Sequence, residues 1–169
     1  MARVILVLGG ARSGKSAEGE RLVARHPGPL AYIATAEAGD AEMAARIAAH
    51  RARRGPRWRV VEAPIDLAAA IRGAAEAPTL VDCLTLWLSN LMLAGADITA
   101  ATTALEEALA AHPAPIVLVA NEVGLGIVPD NALARRFRDA AGSLNQTLAA
   151  RADQVLMMVA GYPIEVKRA

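Results

Sequence analysis

The amino-acid sequence predicts an α/β three-layer sandwich built on a mainly parallel sheet. Three observations carry this expectation. Short apolar runs at residues 4–8, 30–34, 79–82, 116–120 and 154–159 alternate with stretches of helical periodicity. No hairpin signal joins neighbouring runs, so helical crossovers between parallel strands are expected. The first run, Val4-Ile5-Leu6-Val7-Leu8, leads directly into Gly9-Gly10-Ala11-Arg12-Ser13-Gly14-Lys15-Ser16, which fits the phosphate-loop pattern G-x-x-x-x-G-K-[ST].

That loop implies its own chemistry. Gly9 and Gly14 let the backbone turn tightly enough for successive N–H groups to face phosphate oxygens. Lys15 reaches the β and γ phosphates, the Ser16 hydroxyl ligates Mg²⁺, and the helix begun near Gly14 adds the positive end of its dipole. The loop therefore predicts a P-loop NTPase domain that binds a nucleoside triphosphate.

The remaining elements follow in order. His26-Pro27-Gly28-Pro29 ends the first helix, and residues 30–34 form a second buried strand that stops at Thr35-Ala36-Glu37. Asp40 is the expected N-cap of a helix whose Met43, Ala44 and Ile47 make one buried stripe. Arg46, His50 and Arg54 follow at i, i+4, i+8 on that helix, with Arg53 on a similar side. Gly55-Pro56 stops it. Residues 58–62 alternate as a possible third strand, and 66–75 read as a short helix.

The run Thr79-Leu80-Val81-Asp82 ends in a carboxylate, the form of a Walker B segment that helps hold Mg²⁺; the alternative for Asp82 is a helix cap. Helices are expected at 84–94 and 100–111, the first carrying Trp87 as core. The strand at 116–120 runs into Asn121 and Glu122, where open α/β sheets bind ligands; plain loop structure is the alternative. Asp130 is the expected cap of a long helix to about Arg151. A last strand at 154–159 precedes a short tail.

Composition narrows the function classes. The 169 residues make one domain, 1–169, large enough to bury roughly two-thirds of the surface its unfolded chain exposes. Aromatics are only 3%, so the core must be aliphatic. No apolar run reaches the ~18 residues of a membrane span and no leader precedes the first strand, so a cytoplasmic protein is expected. Cys83 is the single cysteine, which excludes an internal disulfide and a multi-cysteine zinc site. A net charge of +1 does not call for nucleic acid.

Taken together, these motifs make the chain similar to the bifunctional adenosylcobinamide kinase/adenosylcobinamide-phosphate guanylyltransferase family of cobalamin biosynthesis. The resemblance covers nearly the whole chain. It rests on residues 9–16, on Tyr32-Ile33-Ala34-Thr35, on Glu42-Met43-Ala44-Ala45-Arg46-Ile47 followed by His50, and on Asn121-Glu122-Val123-Gly124-Leu125-Gly126-Ile127-Val128-Pro129. Residues 133–142 and Asn145-Gln146 extend it.

The resemblance implies two reactions. In one, ATP or GTP phosphorylates the hydroxyl of the aminopropanol arm of adenosylcobinamide. In the other, a histidine corresponding to His50 attacks the α-phosphate of GTP, releases pyrophosphate and passes GMP to the cobinamide phosphate. The implied nucleotide contacts are Gly9 through Ser16, Thr35, Ala36, Glu37, Arg51, Ala52, Arg53, Arg54, Glu62 and Leu84. A RecA-like sheet and a homo-oligomer, a trimer, are implied as well. The chain reads as shorter than some relatives between Leu93 and Thr99.

The residues make sense of this chemistry. A neutral imidazole is a competent nucleophile near pH 7, and a covalent intermediate divides one hard transfer into two easier ones. Neighbouring arginines balance phosphate charge and keep the histidine unprotonated. Two rivals are an ordinary small-molecule kinase and a nucleic-acid-dependent ATPase. The first would take up no covalent label from the α-phosphate of GTP. The second is opposed by the near-neutral charge and the shortage of aromatics for base stacking.

Overall fold

The computed structural model describes residues 3–36 and 55–168. The helix expected from Asp40, with Arg46, His50 and Arg54 on it, lies outside the described residues. Within them the chain runs β1 (Val4–Gly9), α1 (Lys15–Ala24), β2 (Leu30–Ala34), β3 (Trp58–Glu62), α2 (Leu67–Gly73), β4 (Thr79–Asp82), α3 (Leu84–Leu93), α4 (Ile98–Ala111), β5 (Ile116–Asn121), α5 (Ala132–Arg151), β6 (Gln154–Val159) and β7 (Tyr162–Lys167). The strands form one sheet in the order β3-β2-β4-β5-β1-β6-β7. Each described pairing is parallel except β6 with β7.

Interior strands of such a sheet are covered on both faces, which is why β1, β4 and β5 read as near-continuous apolar runs. One face carries Leu6, Ile33, Val81 and Leu118, packed with Ile71 of α2, Leu88 of α3, Leu105 of α4 and Leu148 of α5. The other carries Val7, Tyr32, Leu80, Val117 and Val119, packed with Val23 of α1. The sheet is thus the middle of three layers, as expected. The core is also aliphatic: Trp87 is the one aromatic among the largest fully buried side chains. Its indole N–H donates to the carbonyl of Ile65 at 2.7 Å, as a buried donor must.

Asp66, Asp97 and Asn131 cap α2, α4 and α5, each accepting from the N–H three residues on, at 3.1, 3.0 and 2.7 Å. Helix α4 therefore starts two residues before the expected Ala100. For α5 the expectation of an Asp130 cap is wrong. The N–H that the cap side chain reaches is that of Ala134, three residues beyond Asn131. Asp130 instead offers its carbonyl to the Arg135 guanidinium at 2.8 Å.

The expectation of a sheet without hairpins also fails, at its C-terminal edge. Residues 162–167 are an antiparallel edge strand rather than a tail. Ala160 and Gly161 turn the chain with φ 50 and 86, the left-handed pair of a two-residue hairpin. Alanine is a poor signal for positive φ, and Pro163 argues against a strand anywhere except at an edge.

Candidate functional site: a phosphate-binding loop

The carboxyl end of β1 opens into the loop 9–14 and then α1. Gly14 is the N-cap, at φ 95, and offers no side-chain cap. The first-turn N–H groups of α1 are consequently left for another acceptor, and the helix dipole favours an anion there. Ser13 N–H donates to the Gly10 carbonyl at 3.3 Å and closes the turn. An added Cβ at Gly9 would fall on the Ser13 hydroxyl and come within 3.0 Å of Met158, so only glycine fits there. Lys15 lies folded over this loop, its ammonium donating to the Gly10 carbonyl at 3.1 Å.

The hairpin that sequence reasoning missed braces the loop. Gly161 N–H donates to the Ser13 carbonyl at 3.0 Å. A Cβ on Gly14 would approach the Gly161 Cα at 3.3 Å, so the two glycines meet almost backbone to backbone. The signal available was Gly161 itself, following an apolar run.

Asp82 ends β4, opposite Ala34 and Val119 in register. It follows Leu80 by two residues, so its side chain emerges on the α1 face of the sheet. There Tyr32 donates its hydroxyl to Asp82 at 3.2 Å. The helix cap proposed as its alternative role falls to Cys83, the residue that precedes α3, which makes no side-chain cap bond. Burial and the neighbouring Asp82 push the Cys83 thiol up, while Lys15 pulls it down. Asp82 and Lys15 therefore both act on one buried position, and Cys83 stays a neutral thiol.

The other expected contacts divide. Thr35 is fully buried; its hydroxyl donates to the Cys83 carbonyl at 2.6 Å and accepts from the Cys83 N–H at 2.8 Å. The Thr35 carbonyl accepts from Asn90 Nδ2 at 2.8 Å, so the residue ties the end of β2 to both the start and the second half of α3. Leu84 is fully buried in the core and offers no side-chain surface. Ala36 is half-buried just past β2, and Glu62 is exposed at the end of β3. Arg12 is exposed at φ 56, and Ser16 is half-buried in the first turn of α1. Glu37, His50, Arg51, Ala52, Arg53 and Arg54 lie outside the described residues.

The far side of the loop is β5. Asn121 pairs with Gly9 in register, and Glu122 N–H donates to the Gly9 carbonyl at 3.0 Å. Beyond Glu122 the chain exposes Leu125, Ile127 and Val128, pinned at one end by the Glu122 carboxylate on Gly124 N–H and at the other by Arg135 on the Pro129 carbonyl. Asn121 was singled out in the sequence and its partner Asn145 entered as an extension of the resemblance, but its other partner Thr85 was not noticed. The Asn121 N–H donates to the Thr85 hydroxyl at 2.7 Å, and its carbonyl accepts from Asn145 Nδ2 at 3.3 Å.

Comparison with solved structures shows the same fold in proteins of low sequence identity. The P4 protein from bacteriophage phi6 in complex with ADP matches with a TM-score of 0.52 at 14% identity, over 96% of this chain and 54% of that one. An ATPase from the type III secretion system of pathogenic bacteria matches with a TM-score of 0.56 at 14% identity, over 92% and 50%. The chain thus spans about half the length of these solved structures.

Sequence relatives are far nearer. The bifunctional adenosylcobalamin biosynthesis protein CobP of Pseudomonas aeruginosa is 52% identical over 96% of both chains. Its counterpart CobU of Salmonella typhimurium is 42% identical, over 97% of this chain and 99% of that one. The latter alignment runs over 181 residues against the 169 of this chain, so that relative carries residues this one lacks. The CobU family model, described as cobinamide kinase / cobinamide phosphate guanyltransferase, matches residues 5–166. With the phosphate loop, the carboxylate ending β4 and the 121–129 segment all in place, the chain belongs to the cobinamide kinase / cobinamide phosphate guanyltransferase family.

Proposed function

We propose that this protein carries out both reactions of its family on one nucleotide site. In the kinase step the hydroxyl oxygen of adenosylcobinamide bonds to the terminal phosphorus of ATP or GTP, the bridge to the β-phosphate breaks, and the hydroxyl proton leaves. In the guanylyl step a ring nitrogen of His50 bonds to the α-phosphorus of GTP and pyrophosphate departs. The phosphate of adenosylcobinamide phosphate then displaces His50, giving adenosylcobinamide-GDP.

The observation that carries this reading is the uncapped, glycine-hinged N-terminus of α1 with Lys15 over it, in a chain matched by the family model from residue 5 to 166. Phosphoryl transfer asks mainly for positioning and charge neutralisation, and this loop supplies backbone N–H groups, an ammonium and a helix dipole. Lys15 leaves the Gly10 carbonyl for the phosphates when nucleotide binds.

The residues present fit Mg²⁺. Ser16 and Asp82 would hold it, and among the described residues no group of three His, Cys, Asp or Glu gathers into a tighter cage. A serine hydroxyl and one carboxylate suit a cation that takes only one or two protein oxygens and keeps phosphates and water as its other ligands. When bound, Mg²⁺ neutralises charge on the nucleotide phosphates. A trimeric assembly and a cytoplasmic location belong to the same reading, the first through family resemblance alone. No helix among the described residues is long and apolar enough to cross a membrane.

Purified protein given GTP, Mg²⁺ and adenosylcobinamide should yield adenosylcobinamide-GDP and pyrophosphate. Lys15→Ala should slow the phosphoryl transfer by roughly 10²-fold or more, the scale of losing one preorganised electrostatic contact. Wild-type protein that forms no phosphorylated corrinoid, or a Lys15→Ala variant with undiminished turnover, would contradict the reading.

A further inference from the structure

Buried polar atoms in folded proteins nearly always have a partner, and each exception asks for a reason. Among the described residues the side-chain atoms that lack one belong to Ser13, Asn121 and His112. Two of these three residues flank Gly9. The Ser13 hydroxyl lies where a Gly9 Cβ would go, and Asn121 is the register partner of Gly9 on β5.

The position of Asn121 follows from the periodicity of its strand. Val117 and Val119 point to the α1 face, where Gly19 of α1 packs on them: a Cβ there would meet Val119 Cγ2 at 3.0 Å and Val117 Cγ1 at 3.6 Å. Asn121 is the next residue of that face. It lies ~6.6 Å further along β5, at about 3.3 Å per residue. Helix α1 runs back over the sheet in the opposite sense, and four residues from Gly19 toward its N-terminus cover ~6 Å at 1.5 Å per residue. That brings the helix to Lys15. The Asn121 side chain is therefore level with Lys15 and Ser16, beneath the phosphate loop and on the same face as Asp82.

Its backbone is fixed independently. The N–H is held by Thr85 and the carbonyl by Asn145, and the side-chain Oδ1 has no hydrogen-bond partner among the described residues. An amide offers a donor pair and an acceptor on one planar group, and rotation about its last torsion exchanges them. The donors suit a phosphate oxygen, and the acceptor suits the Lys15 ammonium.

We propose that Asn121 contacts the terminal phosphate of the bound triphosphate, and so helps the site tell a triphosphate from a diphosphate. This rests on the nucleotide-site reading above. It adds to the loop a polar group from β5, on the side of the loop opposite the hairpin turn at Gly161.

The test compares binding of an α,β-methylene analogue of GTP, whose α–β link His50 cannot break, with binding of GDP, by calorimetry in the presence of Mg²⁺ and without corrinoid. Asn121→Ala should weaken the triphosphate analogue by about tenfold or more and change GDP by no more than about twofold. Asn121→Asp keeps the shape but puts a carboxylate beside phosphate, so it should weaken the analogue further while still sparing GDP. The Asp variant carries the test if the Ala variant does not fold. Equal losses for the two nucleotides, or no loss for either, would overturn the proposal alone. Wild-type protein that binds neither nucleotide would overturn the nucleotide-site reading and the proposal with it.

Discussion

His112 ends α4 with 2% of its surface exposed, and neither ring nitrogen reaches hydrogen-bond geometry with a partner among the described residues. Burial lowers its proton affinity; the nearby carbonyls of Ile71 and Ala77 oppose this, and the Arg3 guanidinium reinforces it. Arg3 is itself anchored on the His112 carbonyl at 3.0 Å, so a protonated ring would sit beside a fixed positive charge. The fold therefore prefers the neutral imidazole. Above the ordinary value of 6.5 the ring is neutral folded or unfolded, and stability is unaffected. As pH falls below it, the unfolded chain takes up a proton that the folded chain refuses, and stability drops. A His112→Gln variant should thus lose less stability than wild type between about pH 7.5 and 5.5, in urea melts at each pH. Parallel losses would show that His112 does not titrate this way. Thr35 teaches a related lesson about what a sequence discloses. The phosphate loop is legible because its eight residues are contiguous, whereas the hydroxyl of Thr35 spends both its bonds on Cys83, 48 residues away. No local pattern announces such a pairing.

Helix α1 shows how an element is shaped by what it must approach. A glycine inside a helix normally costs about 1 kcal/mol relative to alanine, yet α1 keeps Gly19 at its centre. A Cβ there would come to 2.8 Å from Leu80 Cδ1 and 3.0 Å from Val119 Cγ2, both in the packed layer beneath the phosphate loop. Gly142 in α5 is the contrast, with nothing within 4 Å of where its Cβ would lie. Gly142→Ala should raise stability by about 0.5–1 kcal/mol, the ordinary propensity gain. Gly19→Ala should lower it, because overpacking of roughly 1–3 kcal/mol outweighs that gain. Thermal melts of the two variants check both signs, and a stabilised Gly19→Ala protein would mean that α1 is not pressed onto β4 and β5 as described. At this scale most elements were legible, including the weakly patterned β3, since strand and helix periods differ clearly. The β6–β7 hairpin was not, because its turn depends on a left-handed Ala160 and its strand carries Pro163. The cap of α5 was missed by one residue, since Asp130 and Asn131 are equally good cap types and only the position of the Ala134 N–H distinguishes them.

Across the whole molecule, the strand order gathers what the chain scatters. Apolar runs announce parallel strands, but not that β5 inserts between β1 and β4. That insertion places Asn121 beside Gly9 and brings Lys15, Asp82 and Asn121 to one edge of one face, although they come from three separate elements. The candidate site was therefore legible as motifs and illegible as a constellation. The central claim is that a single nucleotide site serves a direct phosphoryl transfer and a covalent guanylyl transfer through His50. The most direct measurement is labelling of purified protein with GTP carrying its label at either the α or the γ phosphate. The account predicts that wild-type protein retains the α label and no γ label, through a bond broken by acid and stable to base. His50→Ala should take up neither label and still phosphorylate adenosylcobinamide at close to the wild-type rate, because Lys15 and Ser16 are untouched. An α label that persists in His50→Ala, or a wild-type protein that makes phosphorylated corrinoid yet never acquires the α label, would contradict it.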